Sequence, residues 1–475
     1  MTRRHLRVLF ALLALIVLAA ACGQKSGVAG SDSVSAGGGL GTTGGGDSDL
    51  EGSGGDTGVG PGDTTTGDTG GGTPTDGGTP TDGGTSTGGT PTGGGTPTDG
   101  GAAPAAGDRT GVTDTTVKIG IHAPITGAAP VPTESFRTGL EIYWKFIDKT
   151  QKGVFGRSVK VTFRDDEFNP STAVRVCREM VEQEKVFLLI GVAGADQITA
   201  CAKYANSVGV PYISGGVNEE GLRGLRGYFA GSQTYIQQNP MLAQLAKKIT
   251  KNKKIGIVIE DTPTFRESRA SIVAAAKEQG LEVVYDKFMS KGASQSEILT
   301  TTNALRSSGA DVVYFLGPPT SLIALAQQGQ SQAYVPSYIG PGLSAGLNII
   351  TQAGCPGLAN AKYLSPFPQL DVIDKFDANY KREYRAQTGN DGDDIGLGLW
   401  GLNKGVHQVF LAAGKDMTRQ SFVSTMESGK VFDTGIYSKT QYDPKNHFGA
   451  QTSHLLAADC NARVWKTEAT FVSGF

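Results

Sequence analysis

Net charge of either sign, tryptophan, cysteine and long apolar runs are all in short supply along this chain. Its 43 Lys+Arg against 45 Asp+Glu leave a formal charge of -2 with no basic patch, which argues against nucleic acid as a partner. Past residue 21 no apolar run approaches the roughly 20 residues a helix needs to cross a bilayer, so the body of the chain reads as soluble. The five histidines are scattered, and no Cys/His spacing has the form of a zinc site. Glycine-rich runs fall in an N-terminal stretch rather than between a strand and a helix, which excludes a phosphate loop. The paired acids Asp165-Asp166 are adjacent on a strand-like segment and so point to opposite faces. No reaction class can be assembled from named residues, and the chain is read as a non-enzyme without metal or cofactor.

What is present begins with an export signal. Basic Arg3, Arg4 and Arg7 precede an apolar run from Val8 to Ala21, which ends in Ala19-Ala20-Ala21-Cys22-Gly23. The run is too short for a comfortable membrane span and has the size of a secretory h-region. Small residues followed by a cysteine have the form of a lipoprotein signal, in which the thiol is the acyl acceptor. Residues 1–21 are therefore expected to be a signal peptide, with Cys22 lipidated and the chain held on the extracytoplasmic face of the cell membrane. Each buried CH2 of such chains contributes roughly 0.8 kcal/mol, so several chains on one cysteine hold firmly.

From about Lys25 to Asp108 the composition collapses to Gly, Thr, Asp, Pro and Ser. A stretch with almost no apolar residues cannot offset the entropy of ordering. Residues 22–110 are read as the acylated cysteine and a disordered tether, whose 84 or so linker residues give a root-mean-square reach of roughly 50 Å. The five cysteines are an odd number for an exported protein. With Cys22 acylated, Cys177, Cys201, Cys355 and Cys460 remain, and an oxidising compartment favours two disulfides. Four cysteines allow three connectivities, and sequence alone does not choose among them. The favoured pairing is Cys177–Cys201 with Cys355–Cys460; the first two lie on successive helical segments joined by one strand.

The body of some 365 residues exceeds what one core usually serves, so two lobes are expected. Its rhythm is strand, helix, strand, helix. Val117–Ile121, Val159–Phe163, Val186–Gly191 and Val210–Ile213 read as strands, with helices over about 136–148, from Asn169-Pro170-Ser171 onward, and over about 196–207. A second set starts after Tyr235, with strands Ile255–Ile259, Leu281–Phe288 and Asp311–Phe315 between helices 236–249, 266–279 and 297–307. Continuous apolar strands alternating with helices indicate parallel sheets covered on both faces. The expected fold is α/β, with two doubly wound parallel-sheet lobes. Ligands in such folds bind beyond the carboxyl ends of the strands, here the loops after Ile121, Ile190, Ile213, Ile259, Phe315 and Ile339.

In order along residues 112–475, several segments carry a resemblance. They are Val117-Lys118-Ile119-Gly120 with Pro124-Ile125-Thr126-Gly127, then Phe163–Ala173, Leu189-Ile190-Gly191, Val210–Ser214 and Tyr338–Gly342. The body resembles the type I periplasmic solute-binding proteins of branched-chain amino acid ABC transporters, the leucine/isoleucine/valine-binding group. The resemblance implies a three-strand hinge. It sets lobe one at about 112–234 with 365–435 and lobe two at about 235–364 with 436–475. It also implies a small polar ligand, such as an amino acid or amide, held between the lobes and delivered to an ABC permease. A ligand sensor that signals to a membrane receptor or cell-wall partner by lobe closure would use the same clamp.

The implied ligand-binding residues fall in the strand-end loops. They are Thr126 in the first loop, Ala195 and Asp196 after the third strand, and Ser214, Gly216 and Asn218 after the fourth. Phe265 and Arg266, Pro318, Gly342, and Asp394 and Ile395 complete the set. The family's serine cluster is missing at Gly191–Gln197, and Gly342 stands where the family has a Glu for the ligand's ammonium. Asp393 is read as the cap of the helix carrying Asp394, and Trp400 as a core residue.

Overall fold

The computed structural model describes residues 101–475 apart from 103, 128–131, 216–217 and 343–346. The signal peptide, Cys22, nearly all of the tether, and Gly216 lie outside the described residues. The first half is built from β1 (Thr116–Ala123), α1 (Thr133–Gln151), β2 (Ser158–Asp165), α2 (Pro170–Glu182), β3 (Leu188–Gly191), α3 (Ala195–Ser207), β4 (Tyr212–Ser214) and β5 (Tyr228–Ala230). These strands form one sheet in the order β2-β1-β3-β4-β5, every pair parallel. Asn169 opens α2 as the local sequence predicts, accepting from the backbone of Ser171 and Thr172 with Pro170 at the first turn.

The chain then crosses through residues 231–234 into a second set. It comprises α4 (Tyr235–Ile249), β6 (Lys254–Glu260), α5 (Pro263–Glu278), β7 (Glu282–Met289), α6 (Gln295–Ser308), β8 (Val312–Leu316), α7 (Pro319–Ser331), β9 (Ser337–Gly340), α8 (Asn348–Gly354) and β10 (Lys362–Ser365). After β10 it returns to the first lobe as α9 (Asn379–Thr388), α10 (Asp394–Ala413), α11 (Arg419–Met426) and the short pair β11 (Val431–Phe432) and β12 (Thr440–Gln441). It crosses a third time to end on β13 (Ser453–Asp459) and β14 (Val464–Val472). The second sheet runs β14-β13-β10-β9-β8-β6-β7. Its strands are parallel except at one edge, where β13 and β14 are antiparallel. Only four residues separate β13 from β14, too few for a crossover, so that pair has to be a hairpin.

Helix α10 lies along α1. The approach is close because Gly139 faces Gly396 and Leu399, and a Cβ at Gly139 would stand 2.8 Å from the Leu399 side chain. Trp400 is buried there, its indole N–H donating to Asp377 at 3.0 Å. One apolar core fills the α1/α10 side of lobe one and another fills the α6/α7/α8 side of lobe two. A third runs unbroken from α2 and α3 of lobe one to α4 and α5 of lobe two. Both disulfides have the expected pairing: Cys177–Cys201 ties α2 to α3, and Cys355–Cys460 ties the end of α8 to the turn after β13. No helix among the described residues is long and apolar enough to cross a membrane.

Candidate functional site

Strand order reverses beside β1 in the first sheet and beside β6 in the second, and a crevice opens at the carboxyl ends of the strands at such points. The loops after β1, β3, β8 and β9 all line one cleft, with about 1150 Å³ of atom-free space, its mouth included. Pro124 comes from the first of these loops, Val192–Ala195 from the second, Leu316–Pro319 from the third, and Pro341 and Gly342 from the fourth. The start of α10 adds Ile395, Gly398 and Leu399, and two crossing segments add Phe367 and Tyr437. None of the described lining residues is charged, and the hydroxyls of Tyr235 and Tyr437 are the lining side chains' polar groups. That of Tyr437 donates to the Gly398 carbonyl at 3.0 Å. Burial holds both phenols in their neutral form.

Of the residues singled out from sequence, Ala195, Phe265, Pro318, Gly342 and Ile395 come together on this cleft. The others are placed elsewhere or do other work. Thr126 is exposed and donates to Asp165 at 2.6 Å. Ser214 is buried against the Tyr228 hydroxyl at 2.7 Å, and Asn218 donates to Thr199 and to the Glu220 carbonyl. Arg266 is largely exposed and paired with Asp261 at 2.9 Å. Asp196 and Asp394 both join the lobes. Asp196, in the first turn of α3 and not its cap, accepts from Thr264 of α5 at 2.7 Å. Asp394 accepts from the backbone N–H of Asn348 of α8 at 2.6 Å, while Asp393 caps α10 by accepting from Gly396. A third link runs from the Glu267 carboxylate to the backbone N–H groups of Glu219 and Glu220. These bonds hold the lobes together across the cleft's flanks.

Two buried acids lie near this region without lining it. Glu260, at the end of β6, sits behind Gly317; one oxygen meets Ser321 at 3.3 Å and the other has no partner among the described residues. Burial raises its pKa to about 7, and that of Asp394 likewise to about 7. Asp165 and Asp166 diverge as adjacent strand residues should. Asp165 takes the hydroxyl of Thr126, while Asp166 turns inward to His122 Nδ1 at 2.8 Å, whose Nε2 meets the Tyr212 hydroxyl at 2.6 Å. His122 lies close to Cys177 and Cys201, but both sulfurs are spent in their disulfide.

Residues that sequence reasoning missed include Phe168, Tyr235, Phe315, Leu316, Phe367, Leu399 and Tyr437. Phe315 and Leu316 had a signal, the end of a named strand. Phe367 and Tyr437 had none, because they sit on irregular crossings whose position depends on both lobes. One motif was also passed over: Gly342-Leu343-Ser344-Ala345-Gly346 has the spacing of a nucleophile elbow. An elbow needs a sharp strand-to-helix turn with the serine at its tip, whereas β9 ends at Gly340 and α8 begins only at Asn348.

Two wound sheets, three chain crossings and one cleft at the strand ends define a two-lobed ligand clamp. Residues 116–462 match the periplasmic binding protein family, and the chain belongs to it. The family is one of non-enzymatic, extracytoplasmic binding proteins. An amino acid binding protein of Pseudomonas aeruginosa is 26% identical over 249 residues, 50% of this chain and 64% of that protein. The substrate binding protein LivJ of Streptococcus pneumoniae, solved in complex with isoleucine, superposes with a TM-score of 0.63 at 18% identity over 75% of this chain and 98% of that one. A fatty acid ABC transporter substrate-binding protein from Thermomonospora curvata does so at 0.64 and 18%, over 77% and 95%. At such identities the likeness shows the fold.

Proposed function

We propose that this chain is an extracytoplasmic lipoprotein that captures a small organic solute between its lobes and hands it to an ABC importer. The observation carrying this reading is the shared cleft, walled by the strand ends of both sheets and by the segments that cross between them. Lobe one is taken as about 112–234 with 365–435, and lobe two as about 235–364 with 436–475. A permease can favour the closed form only if the ligand stabilises it. The hydrogen bonds that Asp196, Asp394 and Glu267 accept across the lobes support such a closed arrangement. The names of relatives and structural neighbours point to an amino acid or a fatty acid, and the lining adds that most of the solute's surface be hydrocarbon. Cys22 would anchor the clamp, with the Gly/Thr/Pro/Asp-rich tether giving it reach toward its permease.

A thermal-shift screen of amino acids, amides, short carboxylates, polyamines and sugars tests the reading. A ligand at about 100 times its Kd stabilises the folded state by about 2.7 kcal/mol, so at least one compound should raise Tm. Silence across a broad screen would remove the transport reading. For the anchor, Cys22→Ser should move the protein from the membrane fraction to the medium or periplasm, and retention of the variant would refute lipidation there.

A further inference from the structure

We infer that the solute is a predominantly hydrocarbon molecule with a single small polar end and no ammonium group. This rests on the cleft being the solute site. Two independent features of the cleft carry it.

The first is the missing counter-charge. A buried ammonium must meet an acceptor, since an unpaired charge out of water is very costly. No carboxylate lines the described cleft. The nearest acids do not line it: Asp196 accepts from Thr264, Asp394 accepts from Asn348, and Glu260, with one oxygen unpartnered among the described residues, lies behind the backbone of Gly317. The undescribed segments 128–131, 216–217 and 343–346 add no charged residue either; their one polar side chain is Ser344.

The second is the loss of backbone donors. Helix starts converge on this cleft, and their unpaired N–H groups are the usual means of holding a polar or anionic ligand. Here several are removed or already bonded. Pro132 precedes α1, and Pro318-Pro319 open α7, so these positions carry no N–H at all. The first turns of α4, α5 and α10 are capped by their own Thr234, Thr262 and Asp393. Helix α3 has no side-chain cap, as α1 and α7 have none, and it alone among these starts with glycine at its cap, Gly194 at φ +85°. Against that glycine lies Gln197, 1% exposed, with neither amide atom partnered among the described residues. Beside the Tyr235 and Tyr437 hydroxyls, the glycine-capped turn of α3 and this buried carboxamide form, among the described residues, a place for a polar end group. The remaining walls, including Phe265, Leu316, Phe367 and Leu399, accept hydrocarbon.

The experiment is calorimetric titration of the purified full chain with three probes: octanoate, 1-octanol and leucine. Octanoate should bind at least about 100-fold more tightly than leucine, a difference of about two decades in Kd. An Ala193→Trp variant, placed on a half-exposed loop of the lining, should weaken octanoate by roughly 50-fold or more with Tm unchanged, because the indole occupies the cleft. Gln197→Leu should weaken octanoate while leaving 1-octanol less affected. Leucine binding as tightly as octanoate would overturn the inference and leave the solute-binding reading intact; its loss in Glu260→Gln would then name the ammonium's partner. Octanoate binding that survives Ala193→Trp would also overturn it, since the site would lie elsewhere. If no probe binds but the broader screen yields a ligand, the inference fails alone; if that screen is silent too, both fail.

Discussion

At the scale of single residues, burial decides chemistry that the sequence alone does not display. Glu260 looks like any strand-end acid, yet it is fully buried with a pKa raised from 4.5 to about 7. An acid with a raised pKa keeps its proton longer in the folded than in the unfolded chain. Its contribution to stability is therefore complete below the unfolded value and is lost as pH rises through about 7. The loss is of the order of 3 kcal/mol. Glu260→Gln should raise Tm by a few degrees at about pH 8 and change it little at about pH 4. Thermal scans at both values check this, and an equal effect at both would show that the carboxyl is not neutral in the fold. His407 and His454 act the opposite way, because burial lowers their pKa to about 4, so their share is lost as pH falls from about 6.5.

Elements were the most legible scale. Apart from β5 (Tyr228–Ala230), which was not anticipated, the strands and helices from Val117 to Phe315 lie within a few residues of where apolar periodicity and caps put them, because those signals are local. The Asn169 cap is such a signal, and Asn169→Ala should cost about 1 kcal/mol, measured by denaturant melts. The edge hairpin β13–β14 was not anticipated. Strand β14 mixes buried and exposed residues irregularly, and β13 pairs with β10 from some 90 residues earlier in the chain. The disulfides operate between elements. Cys355–Cys460 closes a separation of 105 residues against 24 for Cys177–Cys201. Loop entropy then predicts losses of about 5 and about 3.5 kcal/mol respectively on replacing each pair by serine. The ranking of the two midpoints in urea tests this, and a larger loss for the shorter loop would point to enthalpic packing around the buried Cys177 and Cys201 instead.

The behaviour of the whole molecule turns on how the lobes meet. Asp196 and Thr264 are 68 residues apart and share one hydrogen bond across the lobes. Asp196→Ala should favour the open form, seen as a larger radius of gyration in solution scattering, and weaken ligand binding by roughly fivefold. An unchanged radius with unchanged affinity would show that this bond does not hold the clamp. The sequence by itself carried the pattern read as an export signal, the Gly/Thr/Pro/Asp-rich composition before the body, the alternation of strand and helix, and therefore which loops gather at the strand ends. Those properties are written in runs of neighbouring residues, where period and composition suffice. Only the tertiary structure decided what those loops present to one another. It turned Thr126, Ser214 and Arg266 to partners of their own and made Asp196 and Asp394 lobe contacts. It lined the cleft with proline and hydrocarbon, drawing Phe367, Leu399 and Tyr437 from three distant segments. A cleft between lobes belongs to no segment, and its chemistry exists only once long-range packing has chosen which side chains face it.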